Sequence, residues 1–287
     1  MEKLLQTSLE SLMGAQIQKV VSVSGGDIAQ SYLIYTSSDR LFCKYLRNPQ
    51  AFHMFQCERE GLKAIRDTGT IKAPEVYYCE KAEAGAVLLM EYIESRRPSS
   101  SDMYSFGTQL ALMHKEAASE FGWVSDNYIG SLKQPNNRHH NWINFYVEQR
   151  LEPQLEMARA KGLLSEKELP SNGVMKSTLK EITSDIEPSL LHGDLWSGNY
   201  LISTDGVPCL IDPAVYYGHS EVDIAMSRLF GGFQDSFYKA YENVLPSQGP
   251  VDDRIKVYQL YYLLVHLNLF GSSYYSGVKA ILKSYFY

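Results

Sequence analysis

Ile17 to Ser24 alternates apolar and polar positions and ends at a turn signal, Ser24-Gly25-Gly26-Asp27. The alternation returns at Ser31 to Tyr35 and, past Ser37-Ser38-Asp39, at Leu41 to Leu46, predicting a three-strand meander with short connections. From Phe52 to Ile65 the period lengthens: Phe55, Leu62 and Ile65 fall on one helical face, and the pattern stops near Gly69. Val76 to Cys79 and Ala86 to Ile93 read as two further strands. The polar, proline-containing stretch Glu94-Ser95-Arg96-Arg97-Pro98-Ser99-Ser100 then links a first unit, residues 1–93, to a second, residues 94–287. The second unit is helical in pattern over Met103–Lys115, Trp142–Met157, Lys176–Ile186, Glu221–Phe230 and Asp252–Phe270. Tyr200–Ile202 and Pro208–Ile211 flank Asp205-Gly206 as a hairpin. The expectation is an α+β chain of two lobes. The first is a strand-rich sheet with one helix, and the second is mostly helical and carries the hairpin.

Composition adds bounds to this picture. At 287 residues and 45% hydrophobic, the chain has enough apolar surface for a substantial core. A formal net charge of -6 speaks against nucleic acid as a general partner, because phosphate backbones need a basic face. The apolar stretch Tyr258–Phe270 is interrupted by His266 and Asn268 and falls short of the roughly 18 residues of a membrane span, so it reads as a core helix with two satisfied polar groups. The start of the chain meets Gln6, Thr7, Ser8 and Glu10 too soon for a signal peptide. Cys43, Cys57, Cys79 and Cys209 show no paired metal spacing and read as reduced thiols. A cytoplasmic protein without membrane partners is expected.

The chemistry concentrates in Leu191-His192-Gly193-Asp194-Leu195-Trp196-Ser197-Gly198-Asn199. Its spacing is that of the kinase catalytic loop, H-R-D-L-x-x-x-N, with Gly193 at the arginine position. An Asp at the loop start can accept the proton of an attacking hydroxyl, and an Asn five residues later can reach a metal on a triphosphate. Gly, Asp, Ser and Asn also form ordinary surface turns. The next feature argues against a mere turn. The hairpin ends in Leu210-Ile211-Asp212-Pro213, where kinases place the Asp that binds Mg²⁺. Oxygen donors at the joined ends of a hairpin suit a hard cation. Asp194 is therefore the candidate catalytic base, and Asn199 and Asp212 are the candidate metal ligands.

The first unit supplies the nucleotide side of this expectation. Gly25 and Gly26 permit close approach to phosphate oxygens, although a Gly-Gly pair is by itself a common turn. Lys44, in mid-strand, occupies the place of the lysine that holds the α- and β-phosphates of ATP. Glu58, on the following helix, is its expected ion-pair partner, with Glu60 as competitor. Around Met90, Glu91 and Ile93, backbone groups would receive adenine. Gly193, and Pro213-Ala214 in place of Phe-Gly, leave little of the regulated peptide-docking segment of protein kinases, which favours a small acceptor.

The chain resembles the fructosamine kinases, or ketosamine-3-kinases, of the aminoglycoside-phosphotransferase-like group. Apart from the two motifs above, the matching stretches include Met54-Phe55 with Glu58, Thr68–Ile71, Phe121-Gly122 with Asp126–Gly130, Tyr217–His219 with Glu221–Asp223, Leu229–Phe233 and His266–Gly271. Trp196 after His192-Gly193-Asp194-Leu195 is the discriminating element. The resemblance implies a two-lobed protein-kinase-like α+β fold. It also implies ATP and Mg²⁺ as cofactors, and transfer of the γ-phosphate to the C3 hydroxyl of a ketosamine, a sugar already joined to an amine. The redox-active Cys that some relatives carry in the phosphate-binding loop has no counterpart, since Asp27 and Ile28 stand there. An aminoglycoside or other small-alcohol kinase shares the same machinery, and a silent ATP-binding module would be expected to have lost Asp194, Asn199 or Asp212. Trp196 could stack on substrate or brace its own loop. Glu221 and Asp223 suit the start of a helix, and could equally support the catalytic loop or face the substrate amine.

Overall fold

The computed structural model describes residues 3–23, 29–82 and 84–287. Its elements run α1 (Lys3–Met13), β1 (Lys19–Val23), β2 (Gln30–Tyr35), β3 (Arg40–Leu46), α2 (Ala51–Asp67), β4 (Val76–Ala82), β5 (Gly85–Glu91), β6 (Ser95–Arg96) and α3 (Ser100–Met113). They continue with β7 (Asn127–Ile129), β8 (Leu132–Gln134), α4 (Trp142–Tyr146), α5 (Glu152–Ala160), α6 (Asn172–Ile182), β9 (Ser189–Leu191), β10 (Tyr200–Ser203), β11 (Pro208–Leu210) and β12 (Tyr216–Gly218). The last are α7 (Glu221–Leu229), α8 (Asp235–Val244), α9 (Val251–Phe270) and α10 (Tyr275–Tyr285).

One unit comprises Met1–Pro98 with Tyr200–Asp212. Its main sheet is antiparallel in the order β1-β2-β3-β5-β4. On β3, Cys43 and Tyr45 join a core with Leu5 and Leu9 of α1. Lys44 between them points to the opposite sheet face, because side chains alternate along a strand. Helix α1 is an addition to the one helix expected. Of the polar residues read from the sequence as breaking an apolar run, Gln6, Thr7 and Ser8 lie between the buried Leu5 and Leu9 at helical spacing and Glu10 follows, with Thr7 and Ser8 exposed. The hairpin β10–β11, expected within the helical unit, packs here instead. Arg96 of β6 pairs with Ile202 of β10, and Leu210 N–H donates to Lys72 O at 2.9 Å.

The other unit comprises Ser99–Asn199 and Pro213–Tyr287. Helix α3 begins at a capping box in which Ser99 and Asp102 satisfy each other's backbone N–H groups. The helical run from Trp142 to Ala160 is interrupted by a π-helical turn at Val147–Leu151. Buried Tyr258, Tyr261 and Tyr262 line α9 at the centre of the unit. Strand β9 pairs with β12, Leu191 opposite Tyr216, so the backbone entering the catalytic loop lies beside the backbone leaving Asp212. No helix among the described residues is long and apolar enough to cross a membrane.

Candidate active site

On the sheet face beneath α2, Lys44 Nζ lies 2.6 Å from Glu58 Oε1 and 2.5 Å from Asp212 Oδ1. Glu58 shares the inward stripe of α2 with Ala51, Phe55, Leu62 and Ile65, whereas Glu60 is exposed. That stripe is a sequence signal in favour of Glu58. Burial opposes charge on Lys44, but the pull of Asp212 and then of Glu58 outweighs it and lifts the lysine pKa above its ordinary value. Burial likewise raises the Glu58 carboxyl, with Lys44 working against the rise. Asp212 is the one non-glycine residue at positive φ among the described residues, at 55°. Such a backbone persists only where its surroundings hold it, and the Lys44 contact is one such hold. Its second carboxylate oxygen has no protein partner among the described residues.

In the helical unit, the catalytic loop is held from below. Asp223, fully buried, accepts from His192 N–H at 2.7 Å and Gly193 N–H at 2.9 Å, and from His114 Nε2–H at 3.1 Å. Tyr262 donates its hydroxyl to Gly193 O at 3.0 Å. Asn199 Nδ2 donates to both Asp194 O at 2.8 Å and Asp194 Oδ2 at 3.1 Å, which fixes the carboxylate relative to its own backbone. The same bonds leave the Asn199 amide oxygen without a partner among the described residues. An amide oxygen and a carboxylate oxygen with spare lone pairs are the donor types a Mg²⁺ ion takes, so Asn199 and Asp212, each within its own unit, offer the chemistry expected of them.

Gly193 has φ +84°, and a Cβ there would stand 2.1 Å from Ala214 O. An arginine with this backbone is sterically excluded, which accounts for the departure from the H-R-D pattern. Buried amides hold the neighbouring strand: Asn127 Nδ2 donates to Val215 O at 2.8 Å, and Gln134 Nε2 to Ala214 O at 3.1 Å. Sequence reasoning passed over His114, Tyr262, Asn127 and Gln134. Only Asn127 carried a signal, through the Asp126–Gly130 stretch.

The remaining candidates fall as follows. Trp196 is 36% exposed, and its ring lies where a Cβ of Gly198 would be, 2.4 Å away, so it packs on its own loop while showing a face to solvent. Glu221 does not join the Asp223 network. It forms a buried two-pronged pair with Arg254, with Nε–Oε2 and Nη2–Oε1 both 2.7 Å. Met90 and Ile93 are buried, and the Glu91 side chain is taken by Lys72 Nζ at 2.6 Å and Glu75 N–H at 3.4 Å. Gly25 and Gly26 lie outside the described residues.

The fructosamine kinase family model matches residues 1–287. The chain belongs to the fructosamine kinase family. Members are phosphotransferases of the kinase-like fold. A probable ketoamine kinase of Vibrio parahaemolyticus is 41% identical over 94% of this chain and 93% of its own length. The ketosamine-3-kinase of Mus musculus is 34% identical over 98% of this chain and 99% of its own. A crystal structure from Haemophilus somnus 129PT, assigned to the fructosamine-3-kinases, superposes with a TM-score of 0.89 at 27% identity, covering 99% of this chain and 97% of that one. A thermostable mutant of aminoglycoside phosphotransferase APH(4)-Ia, in complex with ADP and hygromycin B, shares the fold alone, with a TM-score of 0.64 at 11% identity over 98% of each chain. The α+β kinase-like fold expected from the sequence is the fold of these fructosamine kinase relatives.

Proposed function

We propose that this fructosamine kinase family member transfers the γ-phosphate of ATP to the C3 hydroxyl of a ketosamine, free or attached to a protein, in the cytoplasm. The observation that carries this reading is the double hydrogen bond from Asn199 to Asp194, which presents one carboxylate in a fixed orientation on a braced loop. Asp194 takes the proton of the acceptor hydroxyl as it attacks. Lys44, poised by Glu58 and Asp212, engages the α- and β-phosphates, and Gly25 and Gly26, outside the described residues, stay the sequence's candidates for the phosphate-binding turn. Adenine is received by backbone groups near Met90, Glu91 and Ile93, since the Glu91 side chain is already committed to Lys72. Asn199 and Asp212 flank hairpin β10–β11 in the sequence, one residue before Tyr200 and two after Leu210, and Tyr200 pairs with Leu210. They are the residues that would hold Mg²⁺, which when bound neutralises charge on the phosphates. The ketosamine acceptor is supported by the activities for which the bacterial and mouse relatives are named.

An acceptor panel with ATP tests this. Ribulosamines and fructosamines should be turned over, with ³¹P NMR placing the phosphate on C3. Asp194→Ala should lower kcat by about two to four orders of magnitude while ATP affinity is retained. Turnover of an aminoglycoside with none of any ketosamine would overturn the acceptor assignment.

A further inference from the structure

The π-helical turn at Val147–Leu151 carries Arg150, which is 0% exposed deep in the helical unit. A guanidinium keeps its charge even there, and no carboxylate among the described residues pairs with it. Backbone and amide oxygens and an aromatic face meet the charge instead. Nη1 donates to Pro135 O at 2.5 Å and to Gln149 O at 2.8 Å, and Nη2 donates to Asn136 Oδ1 at 2.6 Å. The guanidinium carbon lies 3.8 Å from the centre of the Tyr216 ring. From Asn136 a relay of buried amides runs to the strand beside the catalytic loop. Asn136 Nδ2 donates to Asn127 Oδ1 at 2.9 Å, and Gln134 Nε2 donates to the same oxygen at 2.8 Å. Asn127 and Gln134 in turn donate to Val215 O and Ala214 O. Tyr216, whose ring carries the guanidinium, follows directly and opposes Leu191. Ala214 itself meets the loop: its N–H donates to His192 O at 2.8 Å, and its carbonyl fills the space a Cβ of Gly193 would need. Arg150 thus grips residues 214–216 twice, and they touch the two positions immediately before Asp194.

We propose that Arg150 is a positioning residue for phosphoryl transfer, fixing Ala214 against the catalytic loop and so the backbone that carries Asp194. The inference rests on the assignment of Asp194 to the acceptor hydroxyl and adds what sets its place. The shape of the group matters as well as its charge. A guanidinium offers donors in fixed directions and a flat face that stacks on a ring, so one side chain holds Pro135, Asn136 and Tyr216 at once. A lysine ammonium is a point charge that can serve a carbonyl or an amide oxygen but cannot lie flat on Tyr216. The relay is also stiff: Asn127, Gln134, Asn136 and Tyr216 are all buried, and close-packed interiors transmit a displacement instead of absorbing it. Misplacing a reacting group by about 1 Å can cost about a hundred-fold in rate.

The test uses the whole protein with ATP, Mg²⁺ and a fructosamine made from methylamine. Arg150→Lys keeps the charge and loses the planar fork. Its kcat should fall about ten- to hundred-fold, while ATP affinity by calorimetry changes less than about two-fold, because Lys44 belongs to the other unit. Hydrogen exchange over residues 190–199 should quicken about ten-fold, with α10 unchanged. Asn136→Ala cuts the relay but leaves the arginine on Tyr216, and it should give the same pattern, which keeps the test intact if Arg150→Lys does not fold. The double variant should fall little below the worse single one, since both changes act on one path. A merely structural role would lower Tm and quicken exchange in α10 as well, with kcat of the folded protein at the wild-type level. That result, or kcat losses that simply multiply in the double variant, overturns the positioning role while the kinase reading stands. Failure of the wild-type protein to phosphorylate the fructosamine overturns the acceptor reading, and the exchange comparison alone then decides whether Arg150 sets the loop.

Discussion

A single carboxylate, Asp223, connects the interior of the helical unit to the catalytic loop. It accepts three hydrogen bonds, two of them from successive loop N–H groups. An asparagine has the same shape but only one acceptor oxygen, so one buried N–H would lose its partner. Asp223→Asn is expected to cost about 3 kcal/mol of stability, measured by urea unfolding. It should lower kcat at least ten-fold, because Asp194 rides on the same backbone, while ATP affinity measured by calorimetry stays near wild type. Equal losses in kcat and ATP affinity would argue against a role confined to this loop. Two positions earlier, Glu221 illustrates a different use of a helix start. Its charge is spent on Arg254, and the macrodipole explains its placement without any part in the chemistry.

At the scale of elements, the pairing of β9 with β12 sets how close two backbones must come. Leu191 opposes Tyr216, and two residues further on Gly193 lies against Ala214 with no room for a side-chain carbon. Gly193→Ala would both strain a left-handed backbone and push the strands apart. A stability loss of about 2–4 kcal/mol is expected, with near-complete loss of turnover, and differential scanning calorimetry can measure it. Gly198→Ala is the informative contrast. The atom it meets belongs to the Trp196 ring, which is partly exposed and can turn away, so its effect on Tm should be markedly smaller. A Tm shift as large as that of Gly193→Ala would mean that the tryptophan is rigidly held.

At the scale of the whole molecule, stability should follow pH through a buried histidine between β12 and α7. Burial, then Arg254, then His114 lower the His219 pKa to about 3, and its Nδ1 lies 2.8 Å from the Tyr258 hydroxyl. Below the ordinary histidine pKa of about 6.5 the unfolded chain binds a proton that the folded chain refuses. Stability is therefore fully present above about pH 6.5 and falls as the pH drops toward 3, with a slope from this group of up to about 1.4 kcal/mol per pH unit. His219→Gln should flatten that slope in urea midpoints between pH 6.5 and 4.5. An unchanged slope would place the acid sensitivity elsewhere.

The sequence by itself determined what is local. Strand alternation, the helical stripe that carries Glu58 inward, the Asp205-Gly206 turn and the loop from His192 to Asn199 were all legible, because period and turn chemistry depend on neighbours a few residues apart. Tertiary structure decided the rest. Lys44 meets Asp212 across 168 residues of chain, and Asp223 reaches back 31 residues to His192. No pattern in the sequence encodes those distances. Ser95–Arg96 carries no amphipathic signal, and it became a strand only because β10 offered it a partner. The place of Asp212 just past the hairpin was visible, but its left-handed backbone was not: a strained dihedral is imposed by contacts on either side of it, and those exist only once the chain has folded.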